Sequence, residues 1–62
     1  MPIVEVTLVE GRDEETRAAL IRELTDAVER TTGSPRDRVR VILHQVPAAD
    51  WGVGGVSKQE LG

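Results

Sequence analysis

Three residues stand out as able to move a proton beside an anion: Pro2, Arg12 and Arg40. Pro2 lies directly behind Met1, at the mouth of the β-branched run "PIVEV". Removal of Met1 is expected in cells when the second residue is this small, and it leaves the ring nitrogen as a free secondary amine. Such an amine is a rigid base or nucleophile with no rotamers to freeze. An apolar pocket and neighbouring arginines both disfavour its charged form and lower its pKa toward neutrality. A base poised there suits proton transfer from carbon or from an enol. With Met1 retained, the same nitrogen is an amide and has no basicity. The competing reading is a strand-starting proline, a place where the missing N–H costs nothing.

The two arginines sit where a cation needs a reason. Arg12 follows "LVEG" and precedes a helix start, the positive end of the helix dipole. Arg40 lies in the apolar run around Val39, Val41 and Ile42, where an unpaired charge is costly. Each alone fits a structural ion pair. Together they fit the two carboxylates of a dianion, because the guanidinium fork matches a carboxylate in bidentate fashion. Trp51 heads "WGVGG", which is no phosphate loop: it lacks the GxGxxG spacing and opens no helix. Glycine hairpin and packing tryptophan are its plain readings. His44 is the only histidine, with no nucleophile to pair with, and reads as a surface or hydrogen-bonded residue.

The elements that must position these groups follow from periodicity. "PIVEVTLVE" alternates as a strand, with Val4, Val6 and Leu8 on one face and Ile3, Glu5, Thr7 and Val9 on the other. "DEETRAALIRELTDAVERTTG" reads as a helix capped by Asp13 and stopped by Gly33. Leu20, Ile21, Leu24, Ala27, Val28 and Thr31 form its apolar stripe. Asp13/Arg17 and Asp26/Arg30 have the spacing of ion pairs on a solvated face. "GSPRD" is a turn, "RVRVILHQV" a second strand, and "PAADWGVGGVSK" a hairpin or extended arm. Strand, helix and strand in so short a span predict an α/β (α+β) chain. Its βαβ protomer has two parallel strands, one helix and a C-terminal hairpin, in a single domain over residues 1–62.

Composition narrows the partners. The chain has 62 residues, a net charge of −3, no Cys and one aromatic residue. That excludes a disulfide framework, a basic nucleic-acid footprint and a base-stacking platform. No metal-ligand spacing is present, and no cofactor is expected. No apolar run is long enough to cross a membrane, and no signal-peptide pattern opens the chain, so a cytoplasmic location is the expectation. A single helix covers one face of a two-stranded sheet and leaves the other bare. A bare apolar face normally marks an interface, and self-association is the expected remedy.

With Pro2, "LVEGR" ending in Arg12, "RELTDAV", "VRV" around Arg40 and "WGVGG" in view, the chain resembles the 4-oxalocrotonate tautomerase family, essentially end to end. The resemblance implies a βαβ protomer assembling as a homohexamer, a trimer of dimers. It also implies cofactor-free isomerisation of 2-hydroxymuconate-type dienols to conjugated 2-oxo acids. By position, Pro2 resembles the amino-terminal base. Arg12 resembles the residue that binds the far carboxylate. Arg40 resembles the one that binds the near carboxylate and polarises the 2-oxygen, and Trp51 occupies the place of an aromatic wall, often Phe. Some relatives carry an arginine near the C-terminus, where this chain ends "QELG". Relatives that hydrate or dehalogenate 3-haloacrylates place an acid where this chain has Val53, and this chain has no Tyr.

Two rival readings stand beside it. One is another amino-terminal-proline enzyme in the same scaffold, a biosynthetic tautomerase or a promiscuous amine catalyst. The other is a non-catalytic oligomeric scaffold or carboxylate-binding protein. Reach adds a constraint of its own. Pro2 and Arg12 bracket the first strand and should lie about 30 Å apart in one chain. If both serve one site, a neighbour must donate Arg12. Parallel strands set Arg40 near Pro2 in the same chain, although the resemblance implies donation from another dimer.

Overall fold

Alternating β-branched residues build β1 (Ile3–Val9), and the computed structural model, which describes residues 1–62, pairs it in parallel with β2 (Arg40–Val46). The register runs from Ile3 opposite Arg40 to Val9 opposite Val46. Main-chain bonds extend it at both ends: Arg40 donates to the Pro2 carbonyl at 3.0 Å and Glu10 to the Val46 carbonyl at 2.9 Å. Parallel strands require a crossover, supplied by α1 (Glu14–Thr32).

Both ends of α1 are capped as the sequence predicts. Asp13 accepts the Thr16 N–H at 2.8 Å, and Glu14 and Glu15 occupy the first turn, where the dipole favours acids. Gly33 closes the helix at φ 76°, a left-handed conformation that side chains resist, and donates to the Glu29 carbonyl at 3.0 Å.

Val4, Val6 and Leu8 are less exposed than Ile3, Glu5 and Thr7, matching the alternation, although Val9 at the strand's end is half-buried as well. The buried residues are Leu8, Val39 and Thr25. Thr25 stands in the apolar stripe unforeseen. Its hydroxyl donates to the Ile21 carbonyl at 2.7 Å, so it enters the interior with its polar atom satisfied. Ile21 and Thr31, by contrast, are exposed. The ion pairs read from spacing also differ. Asp26 pairs with Arg36 rather than Arg30, and Arg17 donates to the Arg12 carbonyl. The second strand begins at Arg40 instead of Arg38, because Arg36–Arg38 wind into a 3-10 turn.

Beyond β2, a 3-10 turn (Ala48–Asp50) leads to a hairpin of β3 (Gly52–Val53) and β4 (Val56–Ser57). Its two-residue loop is Gly54-Gly55, at φ 60° and 88°, the doubly left-handed loop that suits the strand twist. A four-residue helical turn, α2 (Lys58–Leu61), ends the chain. It is too short for periodicity to announce. No helix is long and apolar enough to cross a membrane.

The interior is thin. Three of 62 residues are buried. The accessible surface is 4565 Å², against about 4,000 Å² for a compact chain of this mass. The radius of gyration is 14.5 Å, where a compact chain of this length has about 11 Å. Opposite the helix, the sheet is uncovered: Ile3 is 59% and Ile42 41% exposed.

Candidate active site

Pro2 is half-buried, just before β1, with its carbonyl held by the Arg40 N–H. The parallel register therefore brings the N-terminal proline and the first residue of β2 together within one chain. The Arg40 side chain is exposed and turns back over the preceding turn, its Nη1 donating to the Asp37 carbonyl at 2.8 Å. Arg40 pairs with no carboxylate, so its cationic charge remains available.

Arg12 lies at the opposite end of the sheet. It follows Glu10, which closes the ladder against Val46, and its Nη1 donates to the Val9 carbonyl at 3.1 Å. It too has no carboxylate partner, so the simple ion-pair reading fails for both arginines within the chain. Trp51 follows the Val46 end of β2. It is half-buried, with its carbonyl accepting the Lys58 N–H at 2.7 Å. β1 spans seven residues, about 23 Å of extended backbone. The register thus sets Pro2 with Arg40 at one end of the sheet and Arg12 at the other, while Trp51 lies beyond the sheet, before the hairpin.

His44 lies on the uncovered sheet face, with Nε2 3.7 Å from Glu5 Oε1. Both are exposed and sit just beyond hydrogen-bond distance, in keeping with a surface role. An open groove of about 310 Å³ runs between α1 and β2, lined by Glu14, Arg17, Ala18, Ile21, Leu43 and Gln45. It includes none of the four candidates. No cluster of His, Asp and Glu side chains has metal-binding geometry.

One group near the site was not singled out from the sequence. Arg36 bridges Asp26 and Glu29 at the end of α1, and the turn it opens carries the Asp37 carbonyl that holds Arg40. The legible signal was an acid pair three apart on one helix face, followed past the glycine stop by an arginine.

A parallel βαβ unit with a short C-terminal hairpin, and with these residues at its two ends, defines the class. Residues 2–61 match the family model described as tautomerase enzyme. The chain belongs to the tautomerase family, is of the 4-oxalocrotonate tautomerase type, and is an isomerase. It is 59% identical over 58 residues to a probable tautomerase of Ralstonia nicotianae, covering 94% of this chain and 83% of that one. It is 44% identical over 62 residues to the 2-hydroxymuconate tautomerase of Comamonas testosteroni, covering 100% of this chain and 98% of that one. A solved heterohexameric 4-oxalocrotonate tautomerase from Chloroflexus aurantiacus superposes with a TM-score of 0.93 at 39% identity, covering 100% of both chains.

Proposed function

We propose that this tautomerase converts 2-hydroxymuconate-type dienols to conjugated 2-oxo acids, with Pro2 as the general base once Met1 is removed. The amine accepts the 2-hydroxyl proton as the O–H bond breaks and the C2 carbonyl forms. The double bonds shift along the chain, and the same nitrogen returns the proton to carbon 5. Arg40 binds the near carboxylate and offsets charge developing on the 2-oxygen, and Arg12 binds the far carboxylate. Trp51 supplies an apolar wall that disfavours the prolyl ammonium.

The observation that carries this reading is the separation of Pro2 and Arg40 from Arg12 at the two ends of one sheet. A proton-transfer site needs its base and both anion-binding groups within one substrate length. A site shared between chains meets that need. Antiparallel pairing of two β1 strands sets each Pro2 beside a neighbour's Arg12. The thin interior and uncovered face of the sheet support such self-association, and we infer a homohexamer built as a trimer of dimers. The heterohexameric relative supports assembly on this scaffold.

The test couples intact mass to ultraviolet absorbance. Chain verified to begin at Pro2 turns over a dicarboxylic dienol, and chain verified to retain Met1 is nearly inactive. Full activity in the Met1-bearing sample removes Pro2 from the role of base.

A further inference from the structure

Arg36 opens the 3-10 turn between α1 and β2, and its Nη1 reaches Asp26 Oδ1 at 2.5 Å and Glu29 Oε1 at 3.1 Å. These acids stand three residues apart near the end of α1, on one helix face. The hydrogen bond to Asp26, reinforced by both negative charges, holds the guanidinium pKa above its ordinary value. The turn is thereby clipped to the helix. Asp37, next in the turn, gives its main-chain carbonyl to Arg40 Nη1 at 2.8 Å, and the Arg40 N–H is tied to Pro2.

We propose that Arg36, held by Asp26 and Glu29, is a positioning residue for Arg40: it fixes the turn whose Asp37 carbonyl orients the Arg40 guanidinium. The inference rests on the reading of Arg40 as a substrate-binding residue, and it holds whichever chain's Pro2 that guanidinium serves. No side chain accepts from this guanidinium, and its other acceptor, the Val39 carbonyl, is longer at 3.5 Å, so the Asp37 carbonyl is its main anchor. A free guanidinium samples many rotamers, and each one away from the substrate lowers the productive fraction. The clip is half-exposed at all three residues, with side-chain exposures of 47%, 42% and 45%. Exposed pairs are weak, so the expected effect is about two- to five-fold in rate.

The experiment is a double-mutant cycle on the assembled enzyme, read as kcat/KM with a dicarboxylic dienol. Arg36→Gln, and separately Asp26→Asn with Glu29→Gln, should lower kcat/KM by about two- to five-fold, with Arg36→Lys restoring at least half of the loss. Arg40→Gln should lower it by about a hundredfold or more. In the Arg40→Gln background, Arg36→Gln should have no further effect, because the side chain it positions is gone. If the Arg36→Gln loss persists undiminished in that background, the clip is a general structural feature and the inference fails alone. If Arg40→Gln keeps full activity, Arg40 is not in the site, and the inference falls together with the reading beneath it.

Discussion

The Arg40 N–H donates to the Pro2 carbonyl at 3.0 Å, fixing the start of β2 against the N-terminal proline. The bond has a functional consequence. A base at Pro2 inherits the rigidity of the parallel ladder, and the residue that anchors it is itself an arginine without a carboxylate partner. If assembly sets a neighbour's Arg12 beside Pro2, two positive groups oppose protonation of the prolyl nitrogen, in the same direction as an apolar wall.

The pH profile reports on that balance. If Pro2 is the base, catalysis requires its neutral amine, and the rate should fall on acidification as the amine protonates. If Trp51 walls the prolyl amine in the assembly, Trp51→Ala should admit water and stabilise the ammonium. The acid limb of kcat/KM should then move to higher pH, by about one unit. Steady-state rates across pH, on chain verified to begin at Pro2, check the sign. A limb that moves to lower pH contradicts the role of Trp51 as an apolar wall.

Assembly can be broken at the uncovered face. Ile42 is 41% exposed in the single chain, where a polar substitution would cost little. If the face is an interface, Ile42→Asp loses about 1.5–3 kcal/mol of burial in each copy and adds the cost of desolvating a carboxylate. Sedimentation velocity should show the wild type as an assembly and Ile42→Asp as smaller species with little activity. An unchanged sedimentation coefficient places the interface elsewhere.

Asp13 links stability to acid. The Thr16 hydrogen bonds at the helix start lower its pKa below the ordinary 3.8. The folded pKa is the depressed one. The cap's contribution is therefore complete above the unfolded value and is lost as pH falls through the folded value. Asp13→Ala should lower Tm at neutral pH by about 5 °C at fixed chain concentration. Asp13→Asn keeps the acceptor without the charge, and should retain most of the Tm while losing this part of the acid dependence. Thermal scans at pH 7 and at pH 3 separate the two variants.

What the sequence disclosed was what local pattern encodes. Alternation assigned the faces of β1, Asp13 and Gly33 marked both ends of α1, and a parallel crossover placed Arg40 beside Pro2. The misreadings came from contacts that span elements. Asp26 is four residues from Arg30, but Arg36, ten residues on, is returned to it by the turn after the helix. Thr25 is absent from the apolar stripe read from spacing, and its bond to the Ile21 carbonyl accounts for its burial. The separation of Pro2 from Arg12 was legible because a strand has a fixed rise, whereas the groove between α1 and β2 depends on side-chain packing that periodicity does not specify.

The strongest test of a shared site is complementation. Pro2 and Arg12 lie at opposite ends of β1, too far apart for one chain to bring them to one substrate. If antiparallel β1 strands form the dimer, each site takes Pro2 from one chain and Arg12 from the other. Pro2→Ala subunits and Arg12→Ala subunits are then each impaired at every site when assembled alone. Pro2→Ala keeps a primary amine, so the residual rates of both parents form the baseline. Unfolding the two together and refolding them produces mixed dimers. In each, one site carries both substitutions and the other carries neither. Activity should therefore reappear on mixing, up to about half of the sites in every mixed dimer under two-fold symmetry. Native mass spectrometry counts the mixed assemblies, and the recovered rate should scale with their fraction. Proven mixed assemblies with no gain over the parents would mean that Pro2 and Arg12 do not meet across this interface.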